Sequence, residues 1–317
     1  MNTVLITGAA GFVGGHVLHR LSNEPTMFAI AATRDGRGNS RKLDLRDPKA
    51  MQAALVGVTA LVHCAVGDRS VTVDGTRALL RAAAKAGVRR FIHISSVAVY
   101  GLTTGAVGED APLVSSASND YAGWKAAAEA ACLAEAGIET IRLRPTIVYG
   151  PGGTLWVSQM ARRIRSGRWG VFGVGGEGTC NLVHVSDVAS AVVAALNAPT
   201  AGGAFNVNGP EAITWNEWFC RLAADIGAPP LREISPRTLH ARSLASLPLK
   251  ALSRVKPGVA ADWLLGAPAS SELILFALAA TYPTDTARAV LGWSPAVTID
   301  EGLADSVAWL RQERLAA

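Results

Sequence analysis

Short apolar runs, bounded by glycine or polar turn residues, alternate with longer stretches of helical spacing through most of the chain. The runs are Val4–Ile6, Met27–Ala32, Ala60–Ala65, the segment Arg90–Ser96, and Ile138–Leu143. A strand buried on both faces reads as such an unbroken run rather than as an alternation. Between the runs, apolar residues recur at helical spacing in Phe12, Val13, Val17, Leu18 and Leu21, and again from Val73 to Lys85, where Gly87 suits a C-cap. An alanine-rich stretch from Asn119 to about Gly137 predicts another helix. Strand, helix, strand in this order predicts an α/β fold: a Rossmann-type doubly wound, mostly parallel sheet.

Past Tyr149-Gly150-Pro151 the pattern changes. A helix is predicted over Leu155–Arg165 and a short strand over Trp169–Phe172. Asn181–Val185 reads as a strand running into a helix capped near Ser186 and Asp187, and Phe205–Asn208 returns to the sheet. Thr214 with Glu217, and Thr298 with Glu301, have capping-box spacing, so a helix starts at each. The division that follows is a dinucleotide-binding domain over residues 1–150, with 180–209 returning to it. Residues 151–179 and 210–317 form a smaller, mostly helical substrate lobe. In that lobe Leu239, Leu244, Leu247, Leu249, Leu252, Trp263 and Leu264 supply either its core or the lining of an apolar pocket. Arg237, Arg242, Lys250, Arg254 and Lys256 give the same stretch a basic face, read first as solvated charge.

Composition narrows the class. Of 317 residues, 50% are hydrophobic and 17% charged, which suits a packed globule and not a disordered chain. The net charge of +5 comes from dispersed arginines with no run of the kind that binds nucleic acid. The longest apolar run, Leu273–Ala280, is shorter than the ~20 residues of a membrane span. Cys64, Cys132, Cys180 and Cys220 are scattered, with no metal-binding or redox pair spacing. A cytoplasmic, soluble protein without a leader or a metal is the expectation, acting on a small molecule.

The first strand meets Thr7-Gly8-Ala9-Ala10-Gly11-Phe12-Val13-Gly14. Glycine at the first position permits a tight turn, at the second a close approach of a pyrophosphate, and at the third close packing of helix on sheet. Unpaired N–H groups and the positive end of the helix dipole then face the phosphates. Gly8, Ala10, Gly11, Phe12, Val13 and Gly14 are therefore cofactor-binding candidates. At the end of the second strand Ala32 and Thr33 stand where an acid would bind a ribose hydroxyl, and Arg34 follows, with Arg37 and Arg41 nearby. That favours NADP over NAD, although Asp35 would restore an acid on a small shift of register. His63 reads as a strand residue rather than a catalyst.

Tyr121 and Lys125, four apart at a helix start, share one face. An ammonium beside a phenol favours the phenolate, so Tyr121 can exchange a proton with an alcohol or carbonyl oxygen while hydride moves to or from nicotinamide. Ser96 or Ser95, at the carboxyl end of a central strand, projects where such an oxygen would bind.

The glycine turn resembles that of the short-chain dehydrogenases. Together with Ser96, Tyr121, Lys125, Tyr149-Gly150-Pro151, His184-Val185-Ser186-Asp187-Val188 and Leu291-Gly292-Trp293-Ser294-Pro295, it resembles the extended branch, the NAD-dependent epimerase/dehydratase family. The resemblance implies Ser96 as the catalytic serine, Tyr121 as acid/base, and Lys125 as a contact of the nicotinamide ribose. It also implies Asp44, followed by Leu45, at the adenine, with Ala65 and Pro145 along the cofactor, and a homodimer pairing the helices after strands four and five. By the residues alone Asp44 also suits a cap before Pro48. The chain departs from the family at Thr72-Val73-Asp74-Gly75-Thr76, where many members begin with asparagine. It departs again at Cys180, near where sugar-nucleotide members carry a diphosphate-gripping arginine. In this it is more similar to dihydroflavonol reductases and 3β-hydroxysteroid dehydrogenases. The reading is an NADP-preferring oxidoreductase interconverting a secondary alcohol and a ketone. The alternatives are an NDP-sugar epimerase, dehydratase or ketoreductase, in which Arg144, Arg162, Arg163 or Arg168 replaces the missing grip, and a dinucleotide-binding sensor without catalysis.

Overall fold

Val4, Leu5 and Ile6 have no exposed surface, and the strand they build lies at the centre of the computed structural model. The structure describes residues 2–199, 202–235, 237–239, 266 and 268–313. In chain order the first half comprises β1 (Asn2–Thr7), α1 (Phe12–Ser22), β2 (Met27–Thr33), β3 (Arg41–Lys42), α2 (Pro48–Ala54), β4 (Ala60–His63), α3 (Thr76–Lys85), β5 (Arg90–Ile94), β6 (Gly105–Ala106), α4 (Tyr121–Ala134) and β7 (Glu139–Pro145). There follow β8 (Ile147–Tyr149), α5 (Gln159–Arg165), β9 (Thr179–Cys180), β10 (Leu182–His184), α6 (Val185–Asn197), β11 (Gly203–Val207), β12 (Ile213–Thr214) and α7 (Trp215–Asp225). The last described elements are α8 (Ser270–Phe276), β13 (Ala280–Thr281), α9 (Asp285–Leu291) and α10 (Ile299–Gln312).

Seven strands form one sheet in the order β11-β7-β5-β4-β1-β2-β3, and every pairing in it is parallel. The chain builds outward from β1 to β3, then crosses back to place β4 on the other side of β1. That reversal opens a crevice at the carboxyl ends of β1 and β4, where α/β sheets bind ligands. One face of the sheet packs Val17 and Leu21 of α1 and the apolar side of α6. The other packs Met51, Leu79, Leu80 and Cys132 of α2, α3 and α4. A separate aromatic cluster of Trp169, Phe172, Trp215, Trp218, Phe219 and Phe276 forms a second core.

Several boundaries move for identifiable reasons. Ser96 does not extend β5. Its hydroxyl instead accepts from the Ala98 N–H at 3.1 Å, capping a short 3-10 turn over Val97–Tyr100. The helix expected from Asn119 starts at Tyr121, because the Asp120 carboxylate accepts from the Gly123 N–H at 2.8 Å. Trp169–Phe172 is not a strand; only Val171 bridges to Glu233. Asp44 does not cap α2. Asp47 does, accepting from the N–H groups of Lys49 and Ala50 at 2.9 and 3.2 Å. The capping box at Thr298 and Glu301 is complete, whereas Glu217 turns away from Thr214 to bind Arg221 at 2.6 Å.

Leu239 packs partly buried against the aromatic core and Arg237 is exposed. The other expected lobe residues, Leu244, Leu247, Leu249, Leu252, Trp263, Leu264, Arg242, Lys250, Arg254 and Lys256, lie outside the described residues. Among the described residues no helix is long and apolar enough to cross a membrane, and no cluster of three or more potential metal ligands occurs.

Candidate active site

The turn after β1 is closed by Gly11 N–H donating to the Gly8 carbonyl at 2.9 Å. Gly8 has φ +68°, and a Cβ there would stand 2.8 Å from the Ala65 nitrogen at the end of β4. A Cβ on Gly14 would overlap the Gly8 carbonyl oxygen. Both glycines therefore hold backbone against backbone, leaving the start of α1 open. The first turn of α1 carries no acidic residue, and its N-cap Gly11 has no side chain to satisfy the terminal N–H groups. Such an end suits an anion.

A cleft of about 370 Å³ runs from this turn across the carboxyl ends of β1, β2 and β4. Gly8, Ala10, Gly11, Arg34, Asp44, Leu45 and Ala65 all line it. An adjoining cleft of about 420 Å³ includes Ala10, Gly11 and Phe12, together with His16 and Pro151, whose carbonyl lies 2.8 Å from His16 Nε2. Two joined clefts of this size, meeting at an open helix start, fit a dinucleotide. Val13 and Gly14 are part of the helix behind the turn, and Pro145 is buried beside Val207, outside both clefts. Cys64, Arg46 and Val71 also line the 370 Å³ cleft, and none of them is assigned a cofactor role by the sequence. Cys64 was within reach of the rule that ligands meet strand ends; Arg46 and Val71 arrive from loops that carry no such signal.

Arg34 is exposed on the rim of the cleft and has no ionic or hydrogen-bonded partner among the described residues. Its neighbours are committed elsewhere. Arg37 pairs with Asp35 at 2.7 Å, and Arg41 donates to the carbonyls of Ala54 and Val56 at 2.6 and 2.7 Å. Asp35 is not among the residues lining the cleft.

Ser96, Tyr121 and Lys125 come together at the carboxyl end of β5. Tyr121 is 47% exposed at the first position of α4, near enough to the Ser96 side chain for that hydroxyl to favour its ionised form. Lys125 is buried, donates to the Ile94 carbonyl at 2.7 Å, and lies 6.0 Å from the centre of the Tyr121 ring. The expected depression of the tyrosine by the ammonium is absent here. Burial raises the Tyr121 pKa, with the Ser96 side chain opposing it. Burial also pulls Lys125 down to about 8, against the influence of Cys64, Glu129 and Cys132. The physical reason is that the ammonium is turned toward the Ile94 carbonyl, not toward the phenol.

His63 is the last residue of β4, fully buried between two hydroxyls. Thr76 donates to the Thr72 carbonyl, so its oxygen accepts from His63 Nε2, 2.9 Å away. Nδ1 then accepts from the Thr7 hydroxyl at 2.7 Å. Burial, reinforced by Lys125, pushes the His63 pKa down to about 3. The ring is a neutral structural link.

Beyond Ser96 a crevice of about 50 Å³ is lined by Val97, Thr146, Ile147, Asn181, Leu278 and Tyr282 among others, and among the described residues no charged side chain contributes to it. Cys180 is fully buried. Of the four arginines that could grip a diphosphate, Arg144 and Arg163 are each held by a carboxylate. Arg144 is buried against Glu129 at 2.6 and 2.9 Å, and Arg163 is paired with Glu272 at 2.6 Å while stacking over Trp169. Arg162 and Arg168 are exposed.

A parallel doubly wound sheet with a dinucleotide cradle at its switch point, and a serine, tyrosine and lysine at the next strand end, defines a nicotinamide-dependent enzyme of the short-chain dehydrogenase type. The chain belongs to the NAD dependent epimerase/dehydratase family, whose model matches residues 4–208. It is 28% identical to 2-alkyl-3-oxoalkanoate reductase of Stenotrophomonas maltophilia, over 95% of this chain and 97% of that one. It is 30% identical to sterol demethylase protein B of Methylococcus capsulatus, over 78% and 82% respectively. Among solved structures, MoeE5 in complex with UDP-glucuronic acid and NAD superposes with a TM-score of 0.73 at 25% identity, covering 98% of this chain and all of that one.

Proposed function

We propose that this enzyme is an NADP(H)-preferring oxidoreductase that interconverts a secondary alcohol and a ketone on a largely apolar substrate. The observation that carries the substrate class is the crevice beside Val97, to which no charged side chain contributes among the described residues; Cys180 is fully buried and Arg144 is held by Glu129, so neither offers a cation to a diphosphate. A buried, paired arginine does not exchange its partner for a ligand without leaving Glu129 uncompensated. The reductase and sterol-related names of its relatives agree with this substrate class. The free Arg34 on the adenosine side supports a 2′-phosphate and so NADP.

In this reading bound nicotinamide supplies or accepts the hydride. Tyr121, half exposed and un-ionised at neutral pH, gives its proton to the carbonyl oxygen in reduction and takes it back in oxidation. Ser96 hydrogen-bonds the same oxygen and holds it within reach of the phenol. Lys125 keeps a positive charge beneath the site and contacts the nicotinamide ribose. Residues 1–150 with 180–209 act as the dinucleotide-binding domain, and 151–179 with 210–317 as the substrate lobe. The same proposal includes a cytoplasmic homodimer through α3 and α4; the four cysteines are free thiols, in keeping with a reducing compartment.

The likeness to a protein solved with UDP-glucuronic acid favours a sugar-nucleotide substrate as the second reading. A panel of alkyl ketones, ketosteroids, UDP-sugars and dTDP-sugars, each with NADPH and with NADH and followed by nicotinamide absorbance and product analysis, separates the two. Turnover of ketones with NADPH is expected. Turnover of a sugar nucleotide without ketone activity overturns the proposal.

A further inference from the structure

Behind Ser96, Tyr121 and Lys125 stands a carboxylate that the reaction does not itself require. Glu129 has no exposed surface and lies on α4 one turn beyond Lys125, on the same face. A carboxylate so placed is costly unless its oxygens are paired. Both of its oxygens are. Oε1 accepts from the Ser95 hydroxyl at 2.5 Å and from Arg144 Nε at 2.9 Å, and Oε2 accepts from Arg144 Nη2 at 2.6 Å. Arg144 continues outward, donating to the Tyr100 hydroxyl at 2.7 Å and to the Glu109 carbonyl at 3.0 Å. Tyr100 in turn donates to Asn206 Oδ1 at 2.8 Å. One buried anion thus joins the strand end that delivers Ser96, the helix that carries Tyr121 and Lys125, and the loop between them.

Resting on the catalytic reading above, we infer that Glu129 is a positioning residue. Its carboxylate fixes the Ser95–Ser96 strand end against α4 and supplies the negative charge that keeps the Lys125 ammonium in place. The groups around Lys125 leave that task to Glu129. From β4 and the residue after it come His63 and Cys64, from β5 His93, and from α4 Cys132 and Tyr121. Burial and Lys125 hold both histidines neutral, and burial pushes the thiols of Cys64 and Cys132 up to about 12, so none of these is an anion at neutral pH. Arg142 and Arg144 on β7 face the same carboxylate, Arg142 at 3.7 Å, and add only positive charge. Glu129 is the one formal negative charge acting on Lys125 among the described residues.

The test compares Glu129→Gln, Glu129→Asp and Ser95→Ala with wild type. In unliganded protein carrying isotope-labelled lysine, the Lys125 resonance, assigned by its loss in Lys125→Met, is titrated by NMR. Wild type is expected to titrate at about 8. Removing a neighbouring carboxylate disfavours the ammonium, so Glu129→Gln is expected to titrate about one unit lower, and Glu129→Asp close to wild type. In turnover, the alkaline limb of kcat/KM moves down with Glu129→Gln and stays in place with Glu129→Asp. Ser95→Ala keeps every charge, and is expected to lower kcat several-fold with little change in KM for the cofactor. A loss of thermal stability in Glu129→Gln with unchanged Lys125 titration and pH profile overturns the inference. If neither Glu129 variant folds, wild-type kcat in Ser95→Ala overturns it. Tyr121→Phe separates the two levels of argument: if that variant still turns over, the catalytic reading fails; if it is inactive while Glu129→Gln behaves as wild type, only the role of Glu129 fails.

Discussion

Arg34 and Tyr121 both stand exposed at the carboxyl edge of the sheet, one over each end of the proposed cofactor path. An exposed arginine is an ordinary sight; what distinguishes Arg34 is that Arg37 and Arg41 beside it are already bound. A charge-assisted hydrogen bond contributes about 1.5–3 kcal/mol, so Arg34→Ala is expected to raise KM for NADPH about tenfold to a hundredfold. Steady-state kinetics with both cofactors checks this, since KM for NADH should scarcely move. An equal rise for both cofactors would remove the 2′-phosphate role. For Tyr121, loss of a positioned acid/base lowers kcat by roughly 10²- to 10⁴-fold. Tyr121→Phe should show that loss with an unchanged circular dichroism spectrum, because the half-exposed side chain is not part of the core.

At the scale of elements, the β1–α1 turn and the β4–β5 pair carry opposite kinds of constraint. The turn needs the absence of side chains. In Gly14→Ala the added Cβ meets the Gly8 carbonyl, and relieving an overpacked contact of this kind costs typically ~1–3 kcal/mol. Thermal unfolding should register that loss, and fluorescence titration should register weaker dinucleotide binding. The β4–β5 pair needs its side chains uncharged. His63 titrates near 3 in the folded protein against 6.5 for an ordinary imidazole. Between those values the unfolded chain binds a proton that the native one excludes, so stability falls as pH drops from about 6.5 toward 3 and is level above it. The slope is roughly 1.4 kcal/mol for each unit crossed. Urea unfolding at a series of pH values would show it, and His63→Gln should make it shallower, leaving the share of His93, which burial also holds neutral; parallel curves for the two proteins would refute the assignment.

For the whole molecule, the proposed dimer makes a direct prediction. Leu133 is 67% exposed on α4, an apolar side chain with no partner in its own core. Sedimentation equilibrium should report twice the chain mass, and Leu133→Asp should shift it toward the monomer; a monomeric wild type would dismiss the dimer. Much of the molecule at this scale is legible in its sequence. The runs that form β1 and β4 stand out because a strand buried on both faces is largely apolar, whereas β2 is only partly buried and β5 and β7 carry His93, Arg142 and Arg144 among their apolar residues. The glycine turn stands out because its backbone contacts exclude any Cβ. Spacing alone places Tyr121 and Lys125 on one helix face, but not the direction of the ammonium. Lys125 turns to the Ile94 carbonyl across a distance in sequence that no periodicity encodes.

The charged residues divide in the same way. From the order and type of its residues, this chain determined a doubly wound sheet, a tight glycine turn and a tyrosine–lysine helix, because each depends on neighbours within a few positions. Only the tertiary structure decided which charges remain free for a ligand. By its position in the sequence Arg144 could grip a diphosphate, yet Glu129 and Tyr100, remote from it along the chain, hold it in place. Asp187 reads as a helix-capping residue, yet its carboxylate accepts from the N–H groups of Ala296 and Val297, far along the chain. A buried charge takes whichever partner the fold brings within about 3 Å, and that choice is made by packing, not by sequence distance.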